Sequence, residues 1–265
     1  MKRIFFTFIL LVATPFSTLS LANDVRYYDF EIIIFESLDE ESKISEAWKN
    51  NVSIEPPETF VTLGHPYPGP MPKEYIPKHT FKLLPRNTYR LAEDAKLLEA
   101  NEQYRILLHT AWRQPGMTAQ TTLPIRLHKE FIVTQKTQES AVSAGDSDPE
   151  VPASNLSDPN IIITKSKAIL DGYLKIVLSR YLHANYDLVY KTGLPLSGEA
   201  KTVTVNSEED AERENLGKPI EPLIVSYQLQ QTRKMRSKEV HYIDNPAIGI
   251  IMLAWPYKGD DLKSN

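Results

Sequence analysis

The spacing of hydrophobic positions changes several times along the chain, and each change predicts an element. Residues 28–35 read Tyr-Asp-Phe-Glu-Ile-Ile-Ile-Phe, β-branched and aromatic, and predict a first strand. Its acids are Asp29 and Glu31, so one face is polar at the start, while the end is apolar on both faces. A polar stretch follows, with a short helix expected over 42–49. Helical spacing is clear over 89–101, where Leu91, Ala95, Leu98 and, one position off the stripe, Leu97 make an apolar face. Asn87 or Thr88 stands where an N-cap belongs. Period two returns over 103–112 and is closed by Gln114-Pro115-Gly116.

The longest alternation begins at Ala168. Leu170, Gly172, Leu174, Ile176 and Leu178 share one face, and the same parity runs on through Leu182, Tyr186, Leu188 and Tyr190. At about 3.3 Å per residue this is too long for one straight strand, so a bend or hairpin is expected near His183-Ala184-Asn185. Val225, Tyr227 and Leu229 predict a further half-exposed strand, and Tyr242-Ile243-Asp244-Asn245-Pro246 reads as a turn. Ile248-Gly249-Ile250-Ile251-Met252-Leu253 is apolar on both faces, the pattern of a central, buried strand.

Between these elements the pattern lapses. Residues 56–77 carry seven prolines, which bars a central strand or helix interior and predicts an ordered surface loop. Stretches near 134–160 and 191–219 are polar and poor in large apolar groups, and are expected to be mobile insertions. The expected fold is therefore α+β: mainly antiparallel sheet, one or two helices and long polar insertions, in a single domain over residues 23–265.

The N-terminus changes the setting. Met1-Lys2-Arg3 is a short basic region, residues 4–22 are uncharged, and the stretch ends Ser20-Leu21-Ala22, small residues where a signal peptidase reads. A cleaved secretory leader over 1–22 is expected, giving a soluble protein of the bacterial periplasm. The chain has no cysteine, which excludes a lipid-modified N-terminus, a disulfide framework and a thiolate nucleophile. Loss of Lys2 and Arg3 with the leader leaves 28 basic against 34 acidic residues, a net charge of −6. That balance argues against a nucleic-acid binder or a membrane-surface binder.

Candidate chemistry gathers in three segments with tightly interleaved polar and aromatic residues: 104–116, 180–183 and 233–249. Each lies at or near a predicted strand end. Strand ends meeting at one sheet edge would gather Trp112, Arg113, Arg180, Tyr181, His183, Arg236, His241 and Asp244. Flat rings stack on sugar faces and guanidinium forks pair with carboxylates, so this set suits a sugar–peptide polymer. The alternative is a structural polar network with Trp112 in the core. Catalytic patterns are missing: the sequence has no Gly-x-Ser-x-Gly elbow, no Ser-x-x-Lys and no glycine-rich phosphate loop. The six histidines (65, 79, 109, 128, 183 and 241) are scattered, and a zinc site from His109, His183 and His241 would need three strands to meet. Carboxylate pairs for glycoside cleavage stay open on sequence alone. No cofactor is expected.

The segments that carry this chemistry also carry a resemblance. A strand like 28–35 is followed by Leu83-Leu84-Pro85 and the helix beginning at Leu91. Then come Tyr104-Arg105-Ile106-Leu107-Leu108-His109, Ala111-Trp112-Arg113-Gln114-Pro115-Gly116, Arg180-Tyr181-Leu182-His183 and Met235-Arg236-Ser237-Lys238-Glu239-Val240-His241-Tyr242. Together they resemble the CsiV family of exported peptidoglycan-binding proteins, with a departure at the late turn, where Asn245 and Ala247-Ile248 stand. The resemblance implies a non-catalytic periplasmic protein that binds the cell wall. It would support wall synthesis with the lipoprotein activator LpoA and a class A penicillin-binding protein. Competing readings are an adaptor that contacts only proteins, through the 56–77 loop, and a metal-dependent cell-wall hydrolase.

Overall fold

Strand β1 (Tyr27–Ser37) is buried along almost its whole length, and that burial places it inside a sheet with material on both faces. The computed structural model describes residues 25–39, 52–65, 80–138, 161–194, 203–204 and 224–259, with Glu41, Lys43 and Trp48. The expected leader, most of the helix expected over 42–49, the later part of the proline-rich segment and most of both polar insertions lie outside these residues.

After β1 come the two-residue strands β2 (Val61–Thr62) and β3 (Lys82–Leu83), then helix α1 (Ala92–Glu99) and β4 (Tyr104–Pro115). Next are β5 (Ile125–Arg126), β6 (Lys129–Gln138), β7 (Ile161–Leu178), β8 (Leu182–Leu194) and β9 (Val203–Thr204). The chain closes with β10 (Val225–Met235), β11 (Val240–Ile243) and β12 (Ile248–Pro256). One sheet has the order β11-β12-β1-β4-β3; in the other, β10-β8-β7-β5-β2, β6 and β9 also pair with β7. Pairing is antiparallel except between β2 and β5. The result is the sheet-rich α+β fold that the alternation predicts, with β12 between β1 and β11, as its two apolar faces require.

The two sheets share one core. Phe30, Ile32 and Ile34 of β1, Trp112 of β4 and Ile250 and Met252 of β12 meet Leu170, Leu174, Tyr186, Leu188 and Tyr190 of the second sheet. The alternate residues of β1 face away, and α1 covers them: Ile33 and Phe35 pack with Leu91, Ala95 and Leu253. Leu97 lies off this face and is exposed. Gly172 has φ +146 beside the β8 backbone, where a Cβ would collide with the Asp187 carbonyl, so only glycine fits there.

Four expectations change. The β7–β8 turn lies at Ser179–Arg180–Tyr181 rather than 183–185, with Leu178 opposite Leu182 and Lys175 opposite Asn185. Because Leu178 and Leu182 are four apart, the parity runs unbroken through the turn and conceals it. The stretches 134–138 and 191–194, read as insertion, are strand. Tyr242 and Ile243, read as turn, pair with Ile251 and Ile250 in β11. Finally, neither Asn87 nor Thr88 caps α1; residues Arg86–Thr88 form a 3₁₀ turn, and the N-cap position is Leu91, which makes no side-chain cap. The cap comes from a distant strand. The Glu31 carboxylate of β1 accepts the Arg90 and Leu91 amides at 2.6 and 3.1 Å.

A second buried carboxylate joins the sheets. Glu36, 2 % exposed, accepts from Lys43 Nζ at 3.0 Å, from Tyr190 Oη of β8 at 2.9 Å and from the Arg105 guanidinium. Burial, reinforced by the neighbouring Glu36 charge, pushes the Tyr190 phenol far above its ordinary value, so it stays protonated and donates. Glu36→Gln keeps the shape but removes the negative charge that faces buried Lys43 and half-buried Arg105. It is expected to lower stability by about 3–5 kcal/mol, read as a lower urea midpoint with an unchanged slope.

Candidate functional site

The eight residues singled out from sequence separate into four places. Trp112 pairs with Phe30 on the inner face of its sheet; it is 0 % exposed, stacks on Phe30 at 5.7 Å and donates from Nε1 to Gln114 at 2.7 Å. It is a core residue and has no face to offer a ligand. The structure thus decides between the two readings of Trp112. β4 continues three residues beyond it, so it is not a strand end.

Arg180, Tyr181 and His183 lie at the same end of the molecule as Arg236 and His241, where β7 turns into β8 and β10 into β11. Lys234 lies opposite His183 and sets its ammonium 3.7 Å from the Tyr181 ring centre. His241 Nε2 lies 3.0 Å from the Arg236 amide and 3.1 Å from its carbonyl, so this ring closes the turn. His183 Nδ1 is 3.1 Å from the Tyr181 carbonyl. These are turn-stabilising bonds on a basic knob.

Asp244 lies at the opposite end, after the Ile243–Ile250 pair, and accepts from the Tyr242 hydroxyl at 3.0 Å. Burial first, then this bond and the Asp244 charge, push the Tyr242 phenol up to about 12, so it holds its proton at neutral pH. Tyr242, Tyr104, Gln103, Asp244 and Asn245 line a cleft of about 430 Å³.

Arg113 belongs to a fourth place. Its β4 neighbour Trp112 points inward, so Arg113 points outward, opposite Asp29. The guanidinium bonds Asp29 at 2.5 and 3.0 Å and stacks on Tyr257, 3.2 Å from the ring centre. On the other side of Asp29, Trp255 of β12 carries Arg90 at 4.1 Å and Lys238 at 5.6 Å from its ring. Two adjoining hollows of about 360 and 380 Å³ open here, between the outer sheet face and the 82–90 segment. Their walls carry five cations, Lys82, Arg90, Arg113, Lys238 and Lys258, against the carboxylates of Asp29 and Glu31. Asp29 is committed to Arg113 and Glu31 to α1 and to His109 Nε2 at 2.8 Å, so the cleft presents surplus positive charge beside two rings.

Of these residues, sequence reasoning found only Arg113. The missed signal is the parity of β12: Ile251, Leu253 and Trp255 share one face, and Tyr257 continues it past Pro256. The three histidines weighed as zinc ligands do not converge, and among the described residues no group of three His, Asp or Glu is arranged to hold a metal.

A sheet sandwich whose outer face carries a cleft of stacked guanidinium groups and half-buried rings has the equipment of a binding protein. The chain belongs to the CsiV family: the model of that family, described as a peptidoglycan-binding protein, matches residues 4–256. No curated protein and no solved structure matches the chain.

The inward position of Trp112 makes a clear prediction. Trp112→Ala is expected to cost about 3–5 kcal/mol of stability through the cavity it leaves. Arg180→Ala, at an exposed turn, should stay within about 0.5 kcal/mol of the parent. Parallel chemical denaturation of the two variants checks both.

Proposed function

We propose that the protein is a non-catalytic periplasmic factor that binds peptidoglycan through the cleft between Trp255, Tyr257, Arg90 and Arg113. The family match carries this reading, since peptidoglycan binding is the property by which that family is described. The cleft is favoured over the basic knob because it combines concavity, rings and fixed cations. The stem peptides of peptidoglycan bear carboxylates. A guanidinium held flat on a ring keeps its edge N–H groups in the plane where a carboxylate takes two of them. Export by the leader, cleaved near Ala22, delivers residues 23–265 as one soluble domain. No helix of the described residues is long and apolar enough to cross a membrane. In the periplasm the protein supports wall synthesis with the lipoprotein activator LpoA and a class A penicillin-binding protein.

The test uses protein expressed with its own leader and purified from the periplasm. Mixed with isolated murein sacculi and centrifuged, it is expected in the pellet, less so as salt rises. Arg90→Ala and Trp255→Ala should each weaken pelleting about tenfold, the scale of one charge-assisted or stacking contact, with circular dichroism unchanged. Protein that stays in the supernatant at low salt but copurifies with LpoA or a synthase would show an adaptor instead. Released muropeptides would show a hydrolase.

A further inference from the structure

The Asp244 end of the same sheet face differs in chemistry from the cleft just described. We infer that the hollow between Tyr104, Tyr242, Asp244 and Asn245 is a saccharide subsite, which takes the glycan strand of the wall. The inference rests on the peptidoglycan-binding reading and assigns the uncharged part of that polymer a place of its own.

Three observations carry it. First, the walls hold rings on a rigid base: Phe35, 3 % exposed, lies over Gly249, where any Cβ would collide with its ring. Tyr104 meets Phe35 edge-on at 5.3 Å, and Tyr242 lies nearly parallel to it, at 12° and 6.3 Å. Tyr242 is 48 % exposed, so this supported ring offers area to a ligand. Stacking of an apolar sugar face on such a ring needs no side-chain rearrangement.

Second, the lining is polar without cations. Among the described residues it contains Asp39, Asp244, Gln103, Asn245 and Ser37 but no Lys, Arg or His. Acceptors of this kind suit hydroxyl and amide donors and repel carboxylates. The cationic cleft has the opposite character.

Third, the turn is fixed before any ligand arrives. Asn245 Oδ1 accepts the Ala247 and Ile248 amides at 3.1 and 3.4 Å, and Tyr242 donates to Asp244. A preformed cleft spends little ordering entropy on binding.

Two soluble probes separate the outcomes: uncharged glycan strands, supplied as peptide-free N-acetylglucosamine oligomers, and a free stem peptide. Titration of the protein purified from the periplasm is expected to show binding of both. Tyr242→Ala should weaken the glycan strands about tenfold while leaving the stem peptide unchanged. Tyr242→Phe, which keeps the ring, should hold the glycan within about threefold, and matching thermal melts exclude misfolding. Binding of stem peptide and sacculi without any binding of glycan strands overturns the subsite and leaves the proposed function standing. Glycan binding that Tyr242→Ala does not change also overturns it. A response to calcium ions alone gives the hollow to a cation and overturns it as well. Failure of sacculi and both probes together overturns the subsite and the wall-binding reading at once.

Discussion

The structure depends on one strand being buried on both faces while carrying two buried carboxylates. β1 needs its core face for Phe30, Ile32 and Ile34 and its other face for Ile33 and Phe35 under α1. Glu31 and Glu36 are therefore held away from water, and a buried ion is tolerable only when its lone pairs are filled. The protein fills them with long-range partners. Glu36 takes Arg105 from β4 and Tyr190 from the facing sheet, while Glu31 takes the leading amides of α1 and His109. Each bond set joins pieces of chain that sequence separates widely. Desolvation of two carboxylates thus fixes how the second sheet and the helix dock on the first.

This docking also creates the surface on which function is proposed. Because Glu31 draws the start of α1 and the Arg90 backbone down onto the sheet, the Arg90 side chain is delivered to Trp255. Asp29, two residues earlier on the same face, orients Arg113 against Tyr257. Phe35, six residues further along β1 and about 20 Å away, supports the neutral and acidic hollow. The outer face of a single strand therefore grades from a cationic end to an end where, among the described residues, the lining holds no cation. α1 covers the apolar middle between them.

Period-two alternation located the main strands because residues of the shared core must alternate with those facing outward. It failed where alternation carries no information. Across Leu178 and Leu182 the turn preserves parity, so a hairpin looks like one continuous strand. In β4 the pattern does not say which parity faces the core. A surface that gathers both Trp112 and Arg113 conflicts with the rule that adjacent strand residues point to opposite faces. Local propensity points to Asn87 or Thr88 as the α1 cap, whereas the acceptor is Glu31, some sixty positions earlier. Local propensity cannot report a partner that only the tertiary fold supplies. The rings of the cleft were in plain view as Trp255 and Tyr257, but their importance depends on Arg90 and Arg113 arriving from other elements.

The spacing of the two clefts bears on how a shallow surface could hold a wall polymer. Each hollow is open and offers one or two stacking faces and a few polar contacts, which by itself supports only weak binding. In peptidoglycan, though, the anionic stem is covalently joined to the neutral glycan. Once one part is seated, the other is confined near its own cleft, and the second contact forms at an effective concentration set by the tether. Intact wall would then bind more tightly than either fragment without any deep pocket. The gain requires that the clefts keep their separation, because a variable span spreads the tethered group over positions it cannot use. A sheet pinned through Glu31 and Glu36 supplies that fixed span, which ties the buried carboxylates of β1 to the recognition of an extended polymer.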